Sequence, residues 1–490
     1  MAGHGWQGTL VGRPLGPAEG QGVAMPLALT AVTALGLGAW APRLLGLPLL
    51  PAFLMIFPLG LTFGLMLWRP AVAMPVAVFF LPLINIHFEL GLIEKTLSFD
   101  KVLLPLLVVA WAATRLARRD FRIPRDPLLS LWVAWLLVQA ITLVLVRASP
   151  VDQTWYLAEQ ATYLLFFVVA LDVLKIPGTA LWVLRVLMVC GWVVAGLGLS
   201  QELLLRLGGP VPDLTYLSTG RWSTEFGSTI GHPNFFSAFQ ILTLPLTAWA
   251  WWRESGWRRG ALSFFGLIQV AGVFLAKSIG GVVGLAAGGL VLAWWSGGRL
   301  WRLVGPVLAA IGVAAILWLV QARDPKGLDR SIAIRAHILG VTRHMFSDSP
   351  FFGHGLGRFT SLFPEYEQVF AREDLQGEIQ NWRGFPKSIS SHNWYLRLVI
   401  EGGLASLMAF LGLIGWVLAT RWYALRAPPP VRPFLDTPWA LRLALLVSLV
   451  GFAVQAMTEE LFAYSKIVAV FWTLVAIGVN LDGGPRMGAG

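Results

Sequence analysis

Cysteine is almost absent from this chain: Cys190 is the only one, and it lies in an apolar run. A lone thiol allows neither an internal disulfide nor a cysteine-based zinc site. Charge is scarce too, at 13% of residues against 56% hydrophobic, and the mean hydropathy is +0.68. That balance excludes a soluble globular class and leaves a polytopic membrane protein. The apolar runs are continuous rather than alternating, which argues against a closed β-barrel. The first residues, MAGHGWQGTLVGRPLGPAEGQG, lack the basic start, short apolar core and small-residue cleavage site of a signal peptide, and read as a flexible tail. Phosphate-cradling glycine loops, serine-nucleophile motifs, paired catalytic carboxylates, acidic metal clusters and nucleic-acid motifs are all missing.

What the chain does have is long apolar runs. A helix crosses the hydrocarbon core with roughly 20 residues. Runs of suitable length stand near 24–41, 44–67, 70–86, 100–114, 127–146, 153–172, 179–204, 233–252, 260–276, 280–297, 302–320, 393–420, 439–457 and 464–480. The expected fold is therefore all-α and polytopic, with about 12 to 14 transmembrane helices once short neighbours are merged or kept apart. The organisation that follows is a cytoplasmic tail (1–23), an N-terminal transmembrane bundle (24–320), a long external loop (321–392), C-terminal transmembrane helices (393–480) and a second tail (481–490).

Basic residues orient this arrangement, because lysine and arginine gather in short cytoplasmic loops. Arg115, Arg118, Arg119, Arg122 and Arg125 share one loop; Arg253, Arg258 and Arg259, then Arg299 and Arg302, then Arg421, Arg426 and Arg432 occupy others on the same side. Both termini are then cytoplasmic. The net charge of +11 is explained by topology and membrane lipid rather than by nucleic acid. Residues 205–232 and 321–392 face outward; within the latter, SIAIRAHILGVTRHMF has helical apolar spacing, so a helix is expected from about Ser331 to Phe346.

The polar residues that invite chemistry lie at that external boundary. Arg221 precedes GHPN, where His232 and Asn234 flank Pro233 at a helix start; an anion could bind there, or Arg221 snorkels while His232 caps the helix. Lys277 stands in the tight turn KSIGG, as a phosphate ligand or an interfacial anchor. In the loop helix, Arg335 is the expected inward cation, with Ile332, Ile338 and Leu339 marking its buried face, and His337, Arg343 and His344 solvated. His392 and Asn393 stand where the polar loop becomes an apolar helix, Tyr395 follows, and Arg397 and Glu401 are helical neighbours that need protein or water around them. If these groups converge, cations would neutralise a pyrophosphate leaving group and the imidazole would take a proton from an acceptor hydroxyl.

In this order of elements the chain resembles the O-antigen ligase and O-antigen polymerase family, bacterial membrane glycosyltransferases of the GT-C type. The resemblance runs over roughly residues 150–480: Arg221 and GHPN at 231–234, KSIGG, then RAHILGVTRHMFSDSPFFGHGLGRF at 335–359 and SHNWYLRLVIEGGLASL at 391–407. It implies an inner-membrane enzyme with a periplasmic site and a partly helical periplasmic loop. No metal or cofactor is implied. The reaction would be inverting transfer of a glycan from undecaprenyl pyrophosphate to an acceptor sugar, on lipid A core for a ligase or on another glycan for a polymerase. His392 matches the family's base, and Arg221 and Arg335 its pyrophosphate ligands. Where the family often has arginine after the turn serine, this chain has Ile279, with Lys277 before the serine. Lys277 has no planar fork with which to replace it fully. The ligase is the nearer match, with the polymerase as alternative. A transporter would fit the same hydropathy but predicts internal repeats and ionisable groups near the midplane, and an inert scaffold leaves the cationic edge unexplained.

Overall fold

The computed structural model describes residues 49–90, 95–120, 122–146, 150–208, 228–296, 305, 310, 314, 325–374, 390–426 and 438–482. In chain order its helices are α1 (Leu49–Trp68), α2 (Pro70–Leu83), α3 (Phe99–Ala117), α4 (Pro127–Leu145), α5 (Pro150–Val173), α6 (Thr179–Arg206), α7 (Pro233–Arg253), α8 (Gly256–Leu275), α9 (Ile279–Ser296), α10 (Pro325–Asp348), α11 (Phe359–Asp374), α12 (Trp394–Ala424), α13 (Pro438–Gln455) and α14 (Ser465–Asp482). Among the described residues, α4, α5, α6, α8, α12, α13 and α14 contain the seven stretches long and apolar enough to cross a membrane, and α1, α2 and α9 contain shorter apolar ones. The chain is thus a helical polytopic membrane protein. The expected spans near 24–41 and 302–320 and the first tail lie outside the described residues, apart from isolated positions in the second.

Two details depart from the sequence reading. His87–Leu90 and Lys95–Ser98 form an antiparallel hairpin, His87 opposite Ser98, between α2 and α3. The FPEYEQVF stretch lies in α11, a second loop helix beyond the one expected at Ser331–Phe346.

Helix starts follow local chemistry. Asp126 caps α4 by accepting from the Leu128 amide at 2.9 Å, with Pro127 at the first helical position, where its missing N–H costs nothing. The core is aromatic where α4, α5, α12 and α14 meet: Trp132 packs on Trp472 at 3.9 Å between centroids and on Phe167 at 5.5 Å, while Trp394, Phe410 and Phe462 continue the cluster.

Elsewhere small residues set the spacing, because apolar helices in lipid gain little from hydrophobicity alone and associate through close packing and interhelical hydrogen bonds. Gly280, Gly284 and Gly288 line one face of α9 against α13. A Cβ at Gly284 would stand 2.6 Å from the Gly451 carbonyl oxygen, and one at Gly280 would overlap Thr458. This contact seats the Lys277 turn, just before α9, against the turn that follows α13. A second seam is polar: Gln269 of α8 donates to Gln240 and Thr243 of α7 at 3.1 Å each, and Thr247 donates to Gln269 at 2.7 Å.

Gly284→Ala should cost about 1–3 kcal/mol, the ordinary range for overpacking. It should lower the thermal midpoint in detergent, whereas Gly289→Ala on the same helix, with open space where its Cβ would stand, should leave the midpoint unchanged.

Candidate functional site

Three helix starts and one interhelical turn meet at one end of the bundle. At the start of α7, His232 adopts extended backbone and its Nδ1 accepts from the Asn234 amide at 3.3 Å, with Pro233 at the first helical position. At the start of α9, the Ser278 hydroxyl accepts from the Gly281 amide at 3.0 Å. At the start of α12, the Asn393 side chain accepts from the Leu396 amide at 3.1 Å. The turn is residues 456–464, between α13 and α14.

The opposite end carries the basic loops. Arg115 pairs there with Asp120 and Asp172, and Arg421 with Asp482 at 2.7 Å.

Glu459 of the turn ties two of the helix starts together. It is 3% exposed, and its Oε2 accepts from Asn234 Nδ2 and lies 3.4 Å from His392 Nδ1. Gln455 donates to the Asn234 carbonyl at 2.9 Å, fixing α7 against α13 beside it. His392 has φ of 47°, a left-handed backbone that a residue with a Cβ adopts only where its surroundings hold it. Lys277, exposed on the neighbouring turn, is left-handed too, at φ 52°.

Glu460, the next residue, builds the frame under His392. Its Oε1 accepts from the Ser391 amide at 2.6 Å and from the Ser391 hydroxyl at 2.7 Å, while its Oε2 binds Arg397. Arg397 also donates to Glu401 at 3.1 Å, and Glu401 accepts from the amides of Gly357 at 2.9 Å and Phe359 at 3.1 Å. Burial by itself pushes the Glu459 carboxyl up, but the hydrogen bond and charge of His392, with His232 and Asn234, hold it below the ordinary value of 4.5. Burial opposes ionisation of Glu460 as well, yet Arg397 and the Ser391 donors hold it low.

α12 is broken where this frame meets the 350–359 segment. Gly403 has φ 70° and ψ −173°, and a Cβ there would lie 2.1 Å from the Phe351 carbonyl oxygen. The backbone of 350–355 fills the gap. His354 and Gly355 donate to the carbonyls of Ile400 and Glu401 at 2.9 and 3.0 Å, and Leu404 donates to Pro350 at 2.8 Å. Backbone groups freed by the break are thus satisfied by protein rather than lipid.

Of the residues singled out from the sequence, His392, Asn393, His232 and Asn234 come together. Tyr395 packs one turn on, its hydroxyl donating to the Ala453 carbonyl at 2.8 Å. Arg397 and Glu401 are committed to each other, to Glu460 and to the 357–359 amides. Arg335 is half-buried on α10, but the face expected for it needs correction. Of the residues expected to mark it, Ile338 is buried, in a stripe with Val341 and Met345 packed on Phe359, Phe363 and Ile400, whereas Leu339 is 61% exposed and the Ile332 side chain lies outside the described residues. His337, expected to be solvated, instead pairs with Glu367 of α11 at 2.8 Å. Arg221 lies outside the described residues. Glu459 and Glu460 were not singled out; the signal they offered was two adjacent acids at a break between apolar runs, with partners far away in sequence.

Residues 263–411 match the family described as O-antigen ligase. The match supports assignment of the chain to the O-antigen ligase and polymerase family. It spans Lys277, Arg335, His392 and the Arg397–Glu401 pair, and stops before Glu459 and Glu460. No curated protein matches the chain.

Arg397→Leu would strand Glu401 and Glu460 as buried unpaired charges, and should cost about 3–5 kcal/mol in detergent unfolding. Because the folded-state values of Glu459 and Glu460 are depressed, their stabilisation is complete above the ordinary carboxylate value and is lost as pH falls through the depressed ones. The thermal midpoint should therefore hold steady from neutrality down to about pH 5 and drop below about pH 4; Glu460→Gln should flatten that acid limb.

Proposed function

We propose that the protein is an inner-membrane glycosyltransferase of the GT-C type that moves a glycan from undecaprenyl pyrophosphate to a sugar hydroxyl, acting as an O-antigen ligase on lipid A core. The observation that supports this reading most is His392. Its imidazole is 31% exposed, sits two residues before a helix long and apolar enough to cross a membrane, and rests on a buried carboxylate. An anchored imidazole at that helix start can receive a proton beside a substrate whose reactive carbon is tethered to the bilayer.

The reaction balances with protein groups alone. The acceptor oxygen forms a bond to the anomeric carbon from the face opposite the pyrophosphate. The bond from that carbon to the pyrophosphate oxygen breaks with its electron pair, and the acceptor proton passes to His392. Configuration inverts in this single displacement. Pyrophosphate needs its charge neutralised more than it needs a proton, and the groups assigned to it are Arg221, Arg335 and Lys277. On this reading the site faces the periplasm and both termini face the cytoplasm. A polymerase would run the same chemistry with a lipid-linked glycan as acceptor.

The test is transfer from purified lipid-linked donor to lipid A core in detergent, with EDTA present. The unmodified enzyme should turn over, His392→Ala should lose on the order of 100-fold or more in kcat, and Arg335→Ala should weaken donor use. Longer lipid-linked glycans as the product would identify a polymerase instead, and equal turnover by His392→Ala would refute the assigned base.

A further inference from the structure

The proposed base has two ring nitrogens, and only one can take the acceptor proton. Nδ1 of His392 lies 3.4 Å from Glu459 Oε2. An ionised carboxylate only accepts, so this contact requires the proton of a neutral imidazole to sit on Nδ1. Nε2 then carries the free lone pair. The side chain of Glu459 is 5% exposed against 31% for His392, so the carboxylate lies behind the ring and the ring faces outward.

Glu459 is itself held on a second side. Asn234 donates to the same Oε2, and Asn234 is fixed in turn by the His232 cap and by Gln455. The adjacent acid has a different task, since Glu460 holds the Ser391 backbone and Arg397. A carboxylate needed only to close the turn would not have to face an imidazole and a side-chain amide together.

We propose that Glu459 is a positioning residue for glycan transfer: it fixes His392 in the Nδ1–H tautomer, aims Nε2 at the acceptor hydroxyl, and stabilises the imidazolium formed when that proton arrives. This rests on His392 being the base. During transfer the acceptor O–H bond breaks as the N–H bond at Nε2 forms. The new positive charge is met by Glu459 across Nδ1–H, with no second proton transfer. The described charged and titratable groups around the dyad are His232 from α7, whose charge acts on Glu459, Glu460 on the same turn and Arg397 from α12. Glu460 and Arg397 are already paired with each other.

Three variants of the full-length enzyme in detergent test this: Glu459→Gln, Glu459→Asp and His392→Ala. An amide at 459 can donate to Nδ1 and so favours the Nε2–H tautomer, which has no lone pair toward the acceptor. Glu459→Gln should lower kcat about 100-fold, with KM for the lipid-linked donor within about 3-fold, which is how loss of an interaction made only in the transition state reads. Glu459→Asp, which keeps the carboxylate, should restore part of the rate. A purely structural role would reduce the amount of folded enzyme and leave kcat per folded molecule in place, which would overturn the proposal. So would a Glu459→Gln variant with unmodified kcat.

Should the Glu459 variants not fold or not turn over, the unmodified enzyme decides through nitrogen NMR of labelled histidine, with His392→Ala assigning the signal. A neutral His392 protonated at Nδ1 supports the proposal, and one protonated at Nε2 overturns it. If His392→Ala keeps its activity, the base assignment itself fails; if it is inactive while Glu459→Gln is unaffected, only the role given to Glu459 fails.

Discussion

The ion pairing of Arg397 with Glu401 and Glu460 is the interaction on which the rest of this end of the molecule depends. One guanidinium joins three pieces of chain: the first turns of α12, the 357–359 segment through Glu401, and the turn between α13 and α14 through Glu460. Two acids around one cation would be unfavourable in a dry interior, where desolvation outweighs imperfect pairing. Here the surplus negative charge is absorbed by four further contacts, the amides of Gly357, Phe359 and Ser391 and the Ser391 hydroxyl. The left-handed backbone of His392 follows from this, because Ser391 on one side and the Asn393 cap on the other are both pinned.

The same network accounts for the break in α12. A continuous helix through Gly402 and Gly403 would leave no route for the 350–355 backbone into the bundle. With the helix opened at Gly403, the carbonyls of Ile400 and Glu401 find amides from that segment, and Glu401 turns its carboxylate into the same loop. Glycine at 403 is a steric requirement as well as a conformational one, given the positive φ and the carbonyl oxygen lying where a Cβ would be.

How far the sequence alone reads is decided by the range of the interactions. Membrane helices are read from local hydrophobicity, so α4, α6, α7, α12 and α14 fall within a few residues of the expected runs. The cap at His232 and the pairing of Arg397 with Glu401 are local as well, and were readable. Glu459 was not, because its partners His392 and Asn234 are 67 and 225 residues away, and two acids at a helix break look like a solvated turn. The buried face of α10 was read rightly at Ile338 and wrongly at Leu339 for a related reason: α11, which supplies its packing surface and the partner of His337, is a polar, weakly apolar helix. The break at Gly403 was hidden by the uniform apolarity on either side of it.

Charge accounting around the site bears on where substrate phosphates belong. Arg397, on the helix that the proposed base precedes, is consumed by Glu401 and Glu460, and Glu459 adds a further negative charge behind His392. That side suits a neutral hydroxyl and a transient imidazolium, and it repels pyrophosphate. On the proposed reading the donor's phosphates are therefore met from other elements: Lys277, exposed before α9, Arg335 on α10, and Arg221 ahead of α7. On the same reading Glu459 keeps negative charge on the acceptor side, behind the proposed base, while the donor side is served by cations from other elements. This separation explains why one arginine in a conspicuous helical pair serves the frame, and why the imidazole needs its own carboxylate rather than sharing that pair.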